Sequence, residues 1–285
     1  MQTDNPTKTA DVLKTVDQQE RFAFGKNWSR FLKHLTEDRI QEAEKSLSNN
    51  LGVQDLKGKT FLDIGSGSGL FSLAAHRLGA TVFSFDYDQD SVACTQYLKK
   101  QYGNQESTWS VQQGSVLDQA FLAQFGQVDI LYSWGVLHHT GNMMQAFENV
   151  AGFVKEHGFL FVSIYNDQGK ASKRWKWIKE RYNRSGFSIK FLLLLCCLLR
   201  LWACTVTKDF LRSGNPLKTW VLYQKNNRGM SAWYDLIDWV GGYPFEVATP
   251  EVVFDFFKKK GFNLLHLKTC AGGLGCNEFV FRKVS

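Results

Sequence analysis

The sequence lacks the features that mark secreted, metal-binding or disulfide-stabilised proteins. Its six cysteines lie at positions 94, 196, 197, 204, 270 and 276, with no CxxC pair and no His/Cys cluster at zinc spacing. We therefore expect no metal site and reduced cytosolic thiols, with Cys196, Cys197 and Cys204 acting as small core hydrophobes. The first residues have no apolar run of the secretory kind, so we predict a cytoplasmic protein with a partly disordered start.

Negative charge is scarce in one part of the chain. The net charge is +7, but residues 168–230 hold fourteen Lys and Arg against two acids, a local +12, which leaves −5 for the rest. A basic segment on an acidic body indicates where an anionic partner would bind.

Strand and helix signals alternate five times between residues 59 and 165, which predicts parallel strands joined by helical crossovers. A further helix and two strands joined by a short link follow near the end, so the last strands must form an antiparallel hairpin. The predicted class is α/β, a doubly wound, mostly parallel seven-stranded sheet with an antiparallel last strand, N-terminal helices and a helical insertion. The predicted divisions are an N-terminal helical cap (1–50), a Rossmann-like core (51–165), a basic and apolar insertion forming an acceptor lid (166–244), and the last helix and hairpin (245–285).

The first strand runs into three alternate glycines, and the second strand ends in an acid. The glycines are Gly65, Gly67 and Gly69, and the acid is Asp86. A GxGxxG dinucleotide fingerprint would need a glycine at position 70 or 72, where the chain has leucine and serine, and no Lys-Ser/Thr pair follows for a P-loop. Asp63, inside the first turn, would repel a pyrophosphate and attract a cation.

This pattern resembles the class I S-adenosylmethionine-dependent methyltransferases, with their E/DxGxGxG motif, their acid after the second strand and their final hairpin. The resemblance covers about residues 55–165 and 245–283. Within the class, the stretches "RFAFGKNWSRFL" and "LHHT" are most similar to the ubiquinone-pathway type of small-molecule O-methyltransferase, although a histidine replaces the acid of that family's turn.

The resemblance implies a binding site for S-adenosylmethionine. The implied cofactor-binding residues are Asp63, Gly65, Gly67, Gly69, Asp86, Tyr87, Ser115, Val116, Ser133, Trp134, Lys26 and Trp28. In the site that the resemblance implies, the glycines approach the methionine portion of the cofactor, Asp63 faces its ammonium and Asp86 binds the ribose hydroxyls. Tyr87 and the 115–116 pair lie along the adenine, 133–134 lie beside the methionine chain, and Lys26 or Trp28 closes over the cofactor. Other interpretations stay open: a ligand-free βα turn for the glycines, a helix N-cap for Asp86 and core packing for Trp28.

Two histidines follow the fourth strand, at the edge where such sheets bind ligands. An oxygen nucleophile must lose a proton, and histidine suits that role. His139 is the predicted base and His138 the second candidate, while the alternative is that they cap the next helix. The predicted reaction is methyl transfer to a small-molecule or lipid-like acceptor at oxygen. The acceptor is expected to lie against the aromatic run of residues 230–246, with Asp235, Asp238 and Glu246 binding hydroxyls.

The insertion contains an apolar stretch from Phe191 to Val206 in which Arg200 is the one charged residue. Sixteen residues are fewer than the ~20 that span a bilayer. The stretch is expected either to form a lid or a homodimer contact, or, with the basic residues before it, to make peripheral membrane contact through 172–206.

Two other functions stay open. One is an RNA methyltransferase that binds phosphates through the basic 168–230 segment, although the densest part of that segment is apolar and nucleic acid is the less favoured partner. The other is a non-catalytic protein that binds S-adenosylmethionine without transferring its methyl group.

Overall fold

A computed structural model describes residues 21–103, 108–226 and 232–284, with backbone alone for 224–226. Its centre is a seven-stranded sheet. The strands are β1 (Thr60–Ile64), β2 (Thr81–Asp86), β3 (Trp109–Gln113), β4 (Val128–Trp134), β5 (Val154–Tyr165), β6 (Phe262–Lys268) and β7 (Cys276–Lys283). The prediction of a partly disordered start concerns residues 1–20, which lie outside the described residues.

The strand order is β3-β2-β1-β4-β5-β7-β6. Strands β1 to β5 pair in parallel, and β7 is antiparallel to both β5 and β6. The predicted fold class is thus confirmed, and the antiparallel strand lies between two others rather than at the edge. The order reverses between β1 and β4, so the carboxyl ends of these strands border the crevice where doubly wound sheets bind ligands.

Helices cover both faces of the sheet. They are α1 (Gly25–Leu32), α2 (Glu37–Leu51), α3 (Leu70–Arg77), α4 (Gln89–Tyr102), α5 (Gln119–Ala123), α6 (Met143–Gly152), α7 (Lys170–Asn183), α8 (Phe187–Ser213), α9 (Lys218–Asn226), α10 (Ala232–Gly241) and α11 (Pro250–Lys259). Thr249 caps α11: its hydroxyl accepts a hydrogen bond from the Val252 N–H, and Pro250 occupies the first turn.

Two apolar clusters lie on opposite faces of the sheet, because successive strand residues point to opposite sides. Phe61 joins the cluster under α2 and α3, whereas Leu62 joins the cluster under α6 and α11. The predicted division at residue 50 falls in the last turn of α2. That helix buries Ile40 and Leu47 in the cluster with Phe61, so it is part of the central domain's packing.

In the described part of the segment between β5 and α11, helices α7, α8 and α10 surround a third apolar cluster, and α9 packs on α8. The longest, α8, has 27 residues and ends at Gly214, whose φ is 70°. The helix is longer than the sixteen-residue apolar stretch, because residues 187–190 and 207–213 continue it at both ends.

By length and composition α8 could cross a membrane: its most apolar 18-residue window has a mean hydropathy of 2.1, and 11% of that window is buried. Cys197 is buried as expected, but Cys196 and Cys204 are exposed, so the prediction that all three are core residues was wrong.

Replacing Phe257 by alanine is expected to destabilise the fold by about 3–5 kcal/mol, because this ring is fully buried and its removal leaves a cavity. On the same helix Val252 is 47% exposed, and Val252→Ala is expected to change stability by no more than about 0.5 kcal/mol. Urea unfolding monitored by circular dichroism measures both, and equal midpoints for the two variants would contradict this assignment of the core.

Candidate functional site

The turn after β1 depends on glycine for its backbone shape. Gly65, Gly67 and Gly69 have φ values of 75°, 55° and 80°, which side chains of L-residues rarely adopt. A Cβ on Gly65 would lie 2.4 Å from Val136, and one on Gly67 would lie 3.0 Å from the Trp28 ring. The glycines thus allow both the turn and the close approach of other segments to it.

The Asp86 carboxylate connects the end of β2 to this glycine turn. Its Oδ2 accepts a hydrogen bond from the Gly67 N–H at 2.9 Å, and its Oδ1 accepts one from the Asp88 N–H at 2.9 Å. Burial raises the pKa of Asp86 to about 6, and the hydrogen bonds from Asp88 and Gly67 oppose that rise. These hydrogen bonds hold the Asp86 carboxylate, a hydrogen-bond acceptor, in place at the crevice.

Asp63 lies beneath the turn, with 2% of its surface exposed. It accepts a hydrogen bond from the Ser72 hydroxyl; Ser72 lies 2.7 Å from the Ser84 hydroxyl, to which Trp109 Nε1 donates at 2.8 Å. Since Ser72 uses its proton on the carboxylate, Ser84 must donate to Ser72. Burial raises the pKa of Asp63 to about 7, and the charge of Asp86 adds to the rise.

Besides Asp63, this chain of hydrogen bonds contains Ser72, Ser84 and Trp109, which the sequence analysis did not identify. A signal was present, because Ser84 pairs with Asp63 across β1 and β2, so both polar residues point to the same face of a largely apolar sheet.

The ends of β3 and β4 supply the other residues expected beside the cofactor. Ser115 accepts a hydrogen bond within its own turn, and the Val116 side chain lies in the apolar core. Ser133 is fully buried and donates to the Ile64 carbonyl at 3.1 Å, while Trp134 is half-buried. The structure brings these four residues to the same edge as the glycine turn, with the side chains of Val116 and Ser133 engaged inside the fold.

Residues 21–32, which we call the N-terminal strap, cross this edge. The Gly25 N–H donates to Asp88 at 3.0 Å. Arg21 donates to the Thr140 carbonyl at 2.7 Å, and its guanidinium lies 4.5 Å from the centre of the Tyr87 ring. Of the two residues expected to close over the cofactor, Trp28 lies against the glycine turn, whereas Lys26 is exposed. Arg21 was not identified from the sequence.

The strap also binds the insertion. Asn27 donates a hydrogen bond to Asp238 on α10 and accepts one from Arg30 at 2.9 Å. The Arg30 guanidinium stacks 4.1 Å from the Tyr234 ring centre. One segment thus contacts the glycine turn, the end of β2 and the insertion.

The two histidines lie in a 3₁₀ turn after β4, with ring centres 4.5 Å apart. His139 Nδ1 is 2.6 Å from the Pro244 carbonyl oxygen. A carbonyl can only accept, so Nδ1 carries the proton and Nε2 keeps its lone pair. Burial, and then the charge of Lys179, lower the pKa of His139 to about 3; burial and the charge of His139 also lower the pKa of His138.

Aromatic rings surround His139. Its ring centre is 5.2 Å from Phe24 of the strap and 5.4 Å from Tyr165 at the end of β5. Tyr165 contacts Trp239 at 5.5 Å, and Trp239 contacts Trp175 at 5.4 Å. The histidine therefore faces an apolar, aromatic environment supplied by the strap and the insertion.

A buried lysine lies within this aromatic region. Lys179 is fully buried, donates to the Trp239 carbonyl, and lies 4.6 Å and 4.8 Å from the ring centres of Trp239 and Phe245. Burial lowers the pKa of Lys179 to about 7, with Asp238 opposing the shift, and burial raises the pKa of Asp238 to about 7. Lys179 lies within a run of basic residues, so the sequence gave no sign that this one is buried.

The three acids expected to bind acceptor hydroxyls already have partners within the protein. Asp235 accepts from the Tyr223 hydroxyl at 2.8 Å, Asp238 from Asn27, and Glu246 from the backbone N–H of Met143 at 3.0 Å. Among residues 21–103, 108–226 and 232–284, no group of three or more His, Cys, Asp or Glu side chains is placed to hold a metal ion.

Comparison with known proteins shows what the part of the chain around the crevice resembles. Residues 62–162 match the family model of the methyltransferase domain. The matched part contains most of β1, all of β2 to β4, the glycine turn and both histidines. A methyltransferase domain implies S-adenosylmethionine as the methyl donor.

The similarity beyond the methyltransferase domain is distant. Ribosomal protein L11 methyltransferase of Bacillus cytotoxicus is 24% identical over 192 residues, which are 62% of this chain and 57% of that protein. The chain thus spans little more than half the length of this curated relative.

Two solved structures share the fold. One is a Listeria monocytogenes protein assigned to the S-adenosylmethionine-dependent methyltransferases (TM-score 0.50, 13% identity, 86% of this chain and 100% of that one). The other is the [4+2]-cyclase SpnF (TM-score 0.51, 11% identity, 85% and 79%).

The burial of Lys179 predicts a pH-dependent stability. An unfolded lysine has a pKa of about 10.4, so above pH ~7 the unfolded chain binds a proton that the folded chain has lost, and stability gains up to ~1.4 kcal/mol per pH unit. The stability of the wild type relative to Lys179→Met should therefore rise between about pH 7.5 and 9.5. Denaturant unfolding across this range measures the difference.

The matched control is Lys176→Met, an exposed position on the same helix. The difference in free energy of unfolding between this variant and the wild type should be the same at every pH. If the difference between Lys179→Met and the wild type is also independent of pH, the lowered pKa of Lys179 is wrong.

Proposed function

We propose that the protein is an S-adenosylmethionine-dependent methyltransferase that methylates a small-molecule or lipid-like acceptor at oxygen. The observation that carries the proposal is the placement of His139, with a free Nε2 lone pair and an aromatic surround, at the same sheet edge as the glycine turn and Asp86. One edge would then hold the cofactor, a base and an apolar acceptor.

The polar groups at the crevice fit this cofactor. When bound, S-adenosylmethionine supplies an electrophilic methyl group on a sulfonium. Asp86, an acceptor at the end of β2, would bind the ribose hydroxyls, and Tyr87 next to it would lie by the adenine. Asp63 and Asp86 together make the turn a negative site, which favours a cationic ligand and disfavours a pyrophosphate.

The strap would cover the cofactor and exclude water. Trp28 lies on the glycine turn, and Arg21 joins Tyr87 to the turn that holds His139. We infer that residues 21–32 hold the segments on both sides of the crevice in place when the nucleoside binds. Lys26, which is exposed, would have to turn inward to take part.

Positioning would account for most of the rate. Aligning two reactants contributes up to ~7–11 kcal/mol in favourable systems. His139 is held neutral with Nε2 able to take a proton, but the same burial that lowers its pKa makes it a weak base. We infer that it orients the acceptor hydroxyl and receives its proton late. His138, with Nδ1 3.4 Å from the Tyr165 N–H, would support the turn.

The acceptor class is inferred from the residues around His139. Phe24, Tyr165 and Trp239 present rings, and the nearby carboxylates are bonded within the protein. Such a surround favours an apolar or aromatic acceptor with few hydroxyls. Transfer to RNA is less favoured, since the basic segment includes the long apolar helix α8.

A role without methyl transfer is the second candidate, because a protein named as a [4+2]-cyclase shares this fold at a similar level of likeness. The two are separated by S-adenosylhomocysteine, which forms only if the methyl group is transferred. Incubation with methyl-labelled S-adenosylmethionine and a cell lysate should place the label in the organic extract of that lysate. Label in protein or RNA instead would contradict the proposed acceptor class.

Cofactor binding is expected to be coupled to a proton. Asp86, with a pKa of about 6, must be ionised to accept two ribose hydroxyls, so its proton is released on binding at lower pH. Affinity for S-adenosylhomocysteine should therefore rise with pH below pH ~6, by up to about tenfold per pH unit for the Asp86 proton, and the rise should continue to pH ~7, where Asp63 also ionises. Calorimetry in buffers of different ionisation enthalpy measures both affinity and proton release.

Asp86→Asn should bind more weakly and should keep only the part of this pH dependence that comes from Asp63. Asp129→Asn is the control, because Asp129 accepts from Thr60 at the opposite ends of the strands. Tight binding of NADH without binding of S-adenosylhomocysteine would refute the cofactor assignment.

His139→Gln is expected to lower turnover by about 10²-fold or more while cofactor affinity stays unchanged, since the imidazole serves the acceptor and not the nucleoside. Label transfer to the organic extract measures turnover, and calorimetry measures affinity. His266→Gln, on the edge strand β6, is the control. Full turnover of His139→Gln at every pH would show that positioning alone drives the reaction.

A further inference from the structure

Helix α8 turns an apolar stripe towards solvent. Its opposite face buries Leu194 and Cys197 in the third apolar cluster. On the outer face, Leu192 and Leu199 are 58% and 63% exposed. The stripe consists of Leu192, Leu195, Cys196, Leu199, Ala203, Val206 and Phe210. Their spacing of three and four residues keeps them on one side of the helix over about 27 Å.

The neighbouring helix α7 presents a basic outer face. Trp177 is 61% exposed at its centre. The exposed residues around it are Lys170, Lys173, Arg174, Arg181 and Arg184. Trp175 and Tyr182 of α7 are buried in the same cluster as Leu194 of α8, so the outer faces of both helices turn away from one shared cluster.

The two acids of residues 168–223 leave most of this charge in place. Glu180 neutralises one of these bases, Arg184, at 2.6 Å, whereas Asp209 accepts from the backbone N–H and hydroxyl of Thr219 at 2.7 Å. Further exposed bases, Arg200, Lys208 and Arg212, lie along α8 itself. A long apolar stripe beside a cationic, tryptophan-bearing face is complementary to an anionic lipid surface.

We propose that helices α7 and α8 form a docking surface for anionic membranes. The stripe of α8 enters the boundary between headgroups and acyl chains, Trp177 lies at headgroup level, and the bases contact lipid phosphates. This surface goes beyond the proposed methyl transfer and does not depend on it.

The contacts of α9 favour a helix lying in the membrane plane over one that spans it. Trp220 and Tyr223 of α9 pack on Trp202 of α8, with ring centres 4.6 Å and 5.7 Å apart. The chain therefore folds back along α8 instead of continuing beyond its end. A spanning α8 would also place Arg200 deep in hydrocarbon.

Vesicle flotation of the full chain tests the proposal. The wild type should float with vesicles of phosphatidylcholine and phosphatidylserine, float poorly with phosphatidylcholine alone, and be released by salt. Leu192→Gln combined with Leu199→Gln should weaken binding by about tenfold or more. Lys173→Gln and Arg174→Gln should each weaken it roughly fivefold.

The matched control is Leu265→Gln with Leu274→Gln, two residues that are 55% and 48% exposed elsewhere on the surface. This variant should float like the wild type, and urea unfolding monitored by circular dichroism shows whether each variant is folded.

Two outcomes would overturn the proposal. One is absence of flotation at low salt by a wild type that circular dichroism shows to be folded. The other is a lipid-free dimer in analytical ultracentrifugation that the Leu192/Leu199 double variant converts to monomer, since the stripe would then contact a second copy of the chain.

Discussion

The hydrogen bond from the Gly67 N–H to the Asp86 carboxylate is the contact on which the candidate site depends. It joins the turn after β1 to the end of β2, and it places a charged acceptor in the crevice at the point where the strand order reverses. Beneath it, Trp109, Ser84, Ser72 and Asp63 form a directional chain of buried hydrogen bonds. Both carboxyls are held in low-dielectric surroundings, so their charge responds strongly to a cationic ligand.

The N-terminal strap extends this site to the insertion. It reaches the end of β2 through Gly25 and Arg21, and it reaches α10 through Asn27 and Arg30. His139 lies between these two sets of contacts, beside Phe24 of the strap. A change in the strap's position would therefore alter both the cofactor edge and the aromatic surround of the base.

Much of the fold followed from the sequence because the signals were local. Strand–glycine–helix order, an acid after β2 and a link too short for a crossover each constrain the topology, and the structure has that topology. The partners of Lys179 and Asn27 are distant in the chain, so no local pattern indicates them. The exposure of α8 was hidden for another reason: a helix that is apolar on nearly all sides shows no periodicity to tell its inner face from its outer one.

The most direct test of the central claim is a crystal structure of the protein with S-adenosylhomocysteine. We expect the nucleoside at the carboxyl ends of β1 and β2, with both ribose hydroxyls within hydrogen-bond distance of the Asp86 carboxylate and the strap over the ligand. A ligand bound elsewhere, or a ribose that leaves Asp86 bonded only to the Gly67 and Asp88 N–H groups, would contradict the account.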